Sequence, residues 1–303
     1  MANKILSVVP LGTVLIVAMT TSVVQAATFY GETKPLGNGF VRSFVELDKD
    51  KNPLEVGVTL TKDVLPLPTE DGQPDIKFEL SLPPEASTTA FDQVEITYRP
   101  QNYSGVRTIF DAPRISTDFF LITPQERDAI CPNYQVIDRL PTCVGEEREQ
   151  ALKTPAPGTL PEGFEIGVVP EARHGIRYFD GKAPLPIGEI NGEQQLTSVY
   201  NYAIFDGNQL TALDIVSSNA FLETQADFNS PIKLPTSFSQ SGYYPTEYSL
   251  TYDDTSQEYT VALSGLTYRS ATPVPEPSSM LSIVALGALG AVSLLKRRQK
   301  QTA

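Results

Sequence analysis

Apolar and polar residues alternate along several short runs of this chain, a period of two that places one set on each face of an extended strand. Leu54, Val56, Val58 and Leu60 share a face after a turn-like stretch from Asp48 to Pro53. Ile76, Phe78, Leu80 and Leu82 repeat the pattern, as do Val94, Ile96 and Tyr98. Two hairpins are predicted. Tyr248–Tyr252 and Tyr259–Leu263 flank the turn residues Asp253 to Ser256. Val199–Phe205 and Leu210–Val216 flank Asp206, Gly207 and Asn208, and the Asp-Gly step favours a tight turn. Helix signals are few. Thr123, Pro124 and Glu126 supply a cap, a first-turn proline and a glutamate that reaches back, so a short helix should run to about Ile130 before Cys131 and Pro132 stop it. Gly145–Leu152 and Asn219–Ala226 are further short candidates. With 25 prolines and 20 glycines to make turns, the pattern predicts a mainly β fold of antiparallel sheets, sandwich- or barrel-like, with a few short helices.

Both ends depart from this pattern. Lys4 is followed by an uncharged apolar run from Ile5 to Ala18, and Val24, Gln25 and Ala26 fit the site a signal peptidase reads. Residues 1–26 are therefore expected to be a cleaved secretory signal. At the other end, Pro275, Glu276 and Pro277 break regular structure, and an uncharged stretch rich in Leu, Ala and Gly follows over 280–295. At about 1.5 Å per residue it is shorter than a typical hydrocarbon core of about 30 Å. Lys296, Arg297 and Arg298 behind it favour the cytoplasmic side and leave the body outside. The expected organisation is a signal over 1–26, an extracytoplasmic body over 27–272 and a tail over 273–303 with an apolar transmembrane helix. The Pro- and Gly-rich stretch 154–170 is a point where the body could subdivide.

Charge and cysteines refine the picture. All 36 acidic residues lie between the two apolar end segments, whereas five of the 23 basic ones (Lys4, Lys296, Arg297, Arg298 and Lys300) lie outside, leaving 18 and a charge of −18 for the stretch between those segments, Glu276 included. Such a surface repels nucleic acid and anionic lipid. Cys131 and Cys143 are the two cysteines of the chain. In an oxidising compartment they are expected to form a disulfide, since two cysteines without a neighbouring histidine do not complete a zinc site.

The residues carry little recognisable chemistry. The single histidine, His174, precedes Gly175 and reads as a surface or turn residue. No Gly-x-Ser-x-Gly elbow surrounds Ser198, Ser217 or the serines near Gly242, and no phosphate loop, dinucleotide fingerprint or paired-histidine motif is present. Asp48, Asp50 and Asn52 mimic the first ligands of a calcium loop, but Pro53 and Thr59 stand where it needs glycine and glutamate; a charged turn between strands is expected. Tyr98, Tyr103, Tyr200, Tyr202, Tyr243, Tyr244 and Tyr248 offer a sugar-stacking surface or, more simply, half-buried strand positions. No catalytic set, metal set or cofactor is assigned on these grounds.

Two resemblances add to this reading. The signal, the Pro275-Glu276-Pro277 element, the short apolar stretch and the Arg297-Arg298 pair together resemble the PEP-CTERM sorting signal of exopolysaccharide-producing bacteria. That resemblance implies two processing partners, signal peptidase and an exosortase-type sorting protease, and a membrane-anchored precursor released to the outer envelope or matrix. The body resembles the TTHB-type bacterial domain family in the stretch from Gly31 to Leu60, in ITPQERDAIC over 122–131, and in the closing segment from Gly242 to Leu266. Many members of that family carry His-x-Asp-x-His where this chain has Arg114, Ser116 and Asp118, a further histidine at the position of Arg177, and an acidic residue near Asp214. The resemblance therefore implies a site whose imidazoles have become guanidinium or carboxylate, in which Arg114 or Arg177 pairs with Asp118 or Asp214. Arginine, always protonated, does not ligate a cation.

The function expected is a non-enzymatic envelope or matrix protein that contacts exopolysaccharide or envelope components and is able to self-associate. A polysaccharide- or ligand-binding module is the alternative, for which a deep tyrosine-lined pocket would speak. Convergence of Arg114, Asp118, Arg177 and Asp214 in one cavity would instead favour an enzyme.

Overall fold

The alternating runs assemble into two large sheets. The computed structural model describes residues 26–65, 67, 75–100, 112–138 and 140–272, so all but the last residue of the signal expected over 1–26, the sorting tail with its apolar stretch, and Tyr103 lie outside the described residues. The first sheet has six strands, in spatial order β1 (Ala27–Leu36), β2 (Gly39–Leu47), β3 (Pro53–Thr61), β18 (Glu258–Ser264), β17 (Glu247–Asp253) and β15 (Phe228–Pro231). The second has seven: β4 (Ile76–Ser81), β5 (Gln93–Arg99), β6 (Arg114–Phe120), β14 (Gln209–Ser218), β13 (Ser198–Phe205), β10 (Ile176–Asp180) and β9 (Phe164–Ile166). Three ribbons complete the β-structure: β7 (Gln135–Ile137) with β8 (Leu140–Thr142), β11 (Ile187–Ile190) with β12 (Glu193–Leu196), and β16 (Gly242–Tyr244) with β19 (Thr267–Arg269). All these pairings are antiparallel.

One apolar cluster joins the two sheets. Val45, Val58, Val261 and Leu263 enter it from the first sheet, and Val94, Ile96, Phe119 and Ile215 from the second. Each such side chain contributes about 1.5–3 kcal/mol when withdrawn from water. The tyrosines belong here too: Tyr98, Tyr200, Tyr202, Tyr244 and Tyr248 are all buried in this cluster.

The turns follow local chemistry. Asp206 and Gly207 both take positive φ, 54° and 74°, between β13 and β14, as the predicted hairpin requires. Asp253 closes the β17–β18 hairpin by accepting from the Thr255 amide at 2.8 Å. Asp48 accepts from the amides of Asp50 and Asn52, both at 2.8 Å, and makes the charged turn between β2 and β3. Leu54 corrects the predicted face: it is 41% exposed while Val56, Val58 and Leu60 are buried. Glu46 pairs with Glu55 but Leu47 pairs with Pro53, so Leu54 is the extra residue of a bulge, and bulges re-aim side chains.

The helices are short. In α1 (Pro124–Asp128) the capping box is complete, with the Glu126 amide donating to Thr123 Oγ1 at 3.3 Å and the Thr123 amide to Glu126 Oε2 at 2.9 Å. It stops at Asp128, two residues short of the predicted end, with Ala129 as its C-cap. The others are α2 (Gly145–Ala151) and α3 (Asn219–Glu223), which ends before Ala226 because Gln225 adopts φ 55°. Cys131 and Cys143 are disulfide-bonded, with Cα atoms 5.4 Å apart. Among the described residues no helix is long and apolar enough to cross a membrane.

Candidate functional site

The face of the seven-stranded sheet that looks away from the shared core is polar, yet it is buried. Every residue of β5 and β6 is buried, including Gln93, Glu95, Thr97 and Arg99 on one strand and Arg114, Ser116 and Asp118 on the next. The strand register sets Glu95 opposite Asp118, Asp118 opposite Asp214, and Asp214 opposite Asn201. Four polar side chains thus cross β5, β6, β14 and β13 in a single row, none more than 1% exposed.

Within the stretch from Leu121 to Gly175, α1, the disulfide loop, α2 and the turn that carries His174 form a segment covering this row. Its apolar part, with Ile122, Ile130, the disulfide, Ala151 and Ala172, packs on Phe120, Ala203 and Ala212 of the sheet. The disulfide loop also grips the turn that carries His174. The Arg173 amide donates to Ile130 O at 3.0 Å, the Cys143 amide to Pro170 O at 2.9 Å, and the Ala172 amide to Pro141 O at 2.7 Å. The turn closes through a bridge between Glu171 and Gly175. Glycine is required at Gly175, where φ is +92° and a Cβ would lie 2.2 Å from Ile204 O.

His174 is therefore a turn residue, as expected, but not a surface one: it is 1% exposed. Its Nε2 lies 3.2 Å from Asp118 Oδ2 and 3.9 Å from Glu95 Oε1, and its Nδ1 3.3 Å from Ala172 O. The ring also packs on Phe120, centroid to centroid 5.0 Å. No local motif marks this histidine, because the carboxylates it meets lie 56 and 79 positions earlier in the chain.

Arginines neutralise most of the remaining acids. Arg177 donates through Nε to Asp214 Oδ2 at 2.6 Å and pairs with Glu171 Oε1 at 2.7 Å. Arg99 donates to Glu171 Oε2 at 3.2 Å and approaches Asp75 at 3.6 Å. Arg127, wholly buried on α1, lies over the Phe120 ring and pairs with Glu79 and, at 3.5 Å, with Glu95. Lys77 reaches the other oxygen of Glu95 at 3.5 Å. Burial opposes ionisation of Glu171, but Arg177 and then Arg99 outweigh it and hold its carboxyl well below the usual range. Burial, with Asp118 adding to it, pushes Asp214 up to about 7 against the pull of Arg177. Asp118 moves the other way: burial raises it, and the neighbouring His174, Arg177 and Arg99 lower it further than that.

Of the residues singled out from sequence, Asp118, Arg177 and Asp214 converge, and the pairing expected of Arg177 with Asp214 is present; Arg177 Nη2 stands 3.9 Å from Asp118. Arg114 lies at the end of the row's strand, opposite Arg99. Burial and then the Arg99 charge pull it down to about 10. The sequence pattern does not single out Glu95, Glu171, Arg99, Arg127, Lys77 or Asn201; the one signal is for Glu95 and Arg99, charges set into the alternating strand from Gln93 to Arg99. Three surface clefts, of about 460, 550 and 430 Å³, open elsewhere, near Phe91, Leu160 and Phe205, and none is lined by tyrosine. Ser198 and Ser217 bond to each other at 2.9 Å.

Comparison with known proteins bears on the tail. The family described as the PEP-CTERM protein-sorting motif matches residues 273–298. The match begins directly after Thr272, whose amide donates to Phe238 O at 2.9 Å and whose hydroxyl accepts from the Phe238 amide at 2.8 Å. No curated protein and no solved structure matches the chain, and the resemblance of the body to the TTHB-type family finds no counterpart in these comparisons. The sorting motif implies an exported protein, at least transiently associated with a membrane and processed by an exosortase-type protease.

Proposed function

We propose that this chain, delivered by its sorting motif, is a non-enzymatic component of the outer envelope or extracellular matrix. In this reading residues 1–26 are removed on export and the 280–295 stretch anchors the precursor in the inner membrane. Cleavage near Pro275, Glu276 and Pro277 then frees the body, with Arg297 and Arg298 marking the cytoplasmic end. Kinship of the body with the TTHB-type family is part of the same reading and rests on the segments around Gly31, Thr123 and Gly242.

The observation that carries the proposal is the sorting match at 273–298, placed directly after a body that is tied down through its last described residue. Two features support a structural rather than an enzymatic role. Asp118, Arg177 and Asp214 meet beneath a covering segment, with Arg177 saturated by two short carboxylate contacts. The tyrosines that would stack on sugar rings lie instead in the apolar core.

The test is to express the full chain in an exosortase-bearing host and in the same host without the protease, followed by fractionation and immunoblotting. A shortened species in the outer envelope or medium, replaced by a longer inner-membrane species when the protease is deleted, is the expected result. Identical size and fraction in both hosts would overturn the proposal.

A further inference from the structure

His174 faces acceptors at both ring nitrogens. Nδ1 faces a carbonyl oxygen, Ala172 O, at 3.3 Å; an acceptor there suits the tautomer in which Nδ1 carries the ring proton. Nε2 then points its lone pair at two more acceptors, Asp118 Oδ2 at 3.2 Å and Glu95 Oε1 at 3.9 Å. In that tautomer Nε2 calls for a second ring proton or a metal ion; in the other, Nε2 itself donates to Asp118.

Three observations favour the metal. The separations match a coordination shell: one nitrogen and two carboxylate oxygens lie within 4.8 Å of one another, and bonds of about 2.0–2.2 Å in a tetrahedral site set ligands roughly 3.3–3.5 Å apart, between the two distances seen. Asp118 is not held by a close cation, since Arg177 stays 3.9 Å away, and Glu95 has only the longer contacts to Lys77 and Arg127, 3.5 Å each, beside the Thr97 hydroxyl at 3.1 Å. Finally, among the described residues Asp118 Oδ1, Asp214 Oδ1 and both polar atoms of the Asn201 side chain have no hydrogen-bond partner although they are buried, and such groups in a native protein call for water or an ion. The Nδ1–H bond to a backbone carbonyl is also the support that orients metal-ligating imidazoles.

The geometry points to a buried centre for a first-row divalent cation of the zinc class, with His174 Nε2, Asp118 and Glu95 as ligands. Imidazole among the donors selects this class over Ca²⁺ or Mg²⁺, which prefer all-oxygen sites. The unsatisfied Asp214 oxygen, next in the row, fits an acceptor for a metal-bound water. Glu95 and Asp118 come from neighbouring strands and His174 from the covering segment, so the cation ties that segment to the sheet, beside the disulfide that holds the same turn. This site differs from the arginine-substituted one implied by the family resemblance, with which it shares Asp118 alone, and it does not depend on the sorting pathway.

The full chain, oxidised, without a histidine tag and labelled with ¹⁵N, provides the test. His174 is the single histidine, so one imidazole spectrum reports the site. Native mass spectrometry with added Zn²⁺ should show one ion per chain, and the spectrum should show a proton on Nδ1 and none on Nε2. His174→Gln and Asp118→Asn should each weaken Zn²⁺ binding by more than the ~10–100-fold that loss of a supporting residue costs. If those variants misfold, the wild-type spectrum still decides. No stoichiometric Zn²⁺, Zn²⁺ that binds without moving the imidazole signals, or a proton on Nε2 in the presence of Zn²⁺ overturns the inference.

Discussion

In the six-stranded sheet, alternation means what it does in most antiparallel sheets. Along β17, Tyr248 and Leu250 are buried while Glu247, Thr251 and Asp253 meet water. Strand β5 of the other sheet alternates as regularly, with Val94, Ile96 and Tyr98 between Gln93, Glu95, Thr97 and Arg99, and yet all seven residues are buried. The difference is a covering segment. On the wet face a charge keeps its hydration and an ion pair is worth little. Under the cover, each charge has lost water and must find a partner inside the protein, so the outer face of the second sheet becomes a lattice of arginines and carboxylates. Such a lattice is costly to break, though not by that token a large net source of stability.

The sharpest way to break this comparison is to remove one arginine from each sheet. Arg177→Met strips the countercharge from Glu171 and Asp214 and should cost about 3–5 kcal/mol. Arg42→Met, which loses a partly exposed pair with Glu258 at 2.9 Å, should cost about 1 kcal/mol or less. Equal shifts of the denaturation midpoint for the two variants would mean that the buried lattice is not different in kind.

Loss of the disulfide comes next. Cys131→Ser with Cys143→Ser should destabilise by about 3 kcal/mol, the loop-closure value for a ring of this size. Hydrogen exchange should then quicken at Ala172 and Arg173, whose amides bond to the disulfide loop, while the β17–β18 hairpin keeps its protection. Uniform loss of protection would show that the covering segment and the six-stranded sheet open as one unit.

Smaller effects sharpen the picture. Thr123→Ala removes the cap of α1, the helix that delivers Arg127 to Glu95, and should cost about 1 kcal/mol. Thr251→Val, on the wet face of β17, should change stability by no more than about 0.5 kcal/mol by the same assay. A larger change at Thr251 would imply that this face too is covered, as it would be by self-association.

Much of the scaffold is legible in the amino-acid sequence. The hairpins at Asp206 and Asp253, the capped helix at Thr123 and the disulfide all depend on residues close in the chain, and short-range chemistry specifies them. The site is only half legible. Asp118, Arg177 and Asp214 are named only through the resemblance of the body to a family, His174 reads as a surface or turn residue, and Glu95, Glu171 and Arg127 read as ordinary charges on a strand, a loop and a helix. Alternation tells which residues share a face and is silent on whether that face meets water or another part of the chain. Leu54 illustrates the same limit, because one bulge turns it away from the face its period assigns.

By itself, then, the amino-acid sequence determined the mainly β class, the turn chemistry, the cysteine pair and the sorting motif at the C-terminus, each a local or compositional property. Tertiary structure alone decided that Glu95, Asp118, Asp214 and Asn201 stand in one row and that His174 reaches it from above. Cross-strand register and the docking of the covering segment fix those contacts, and both join residues far apart in the chain through packing that no local pattern encodes.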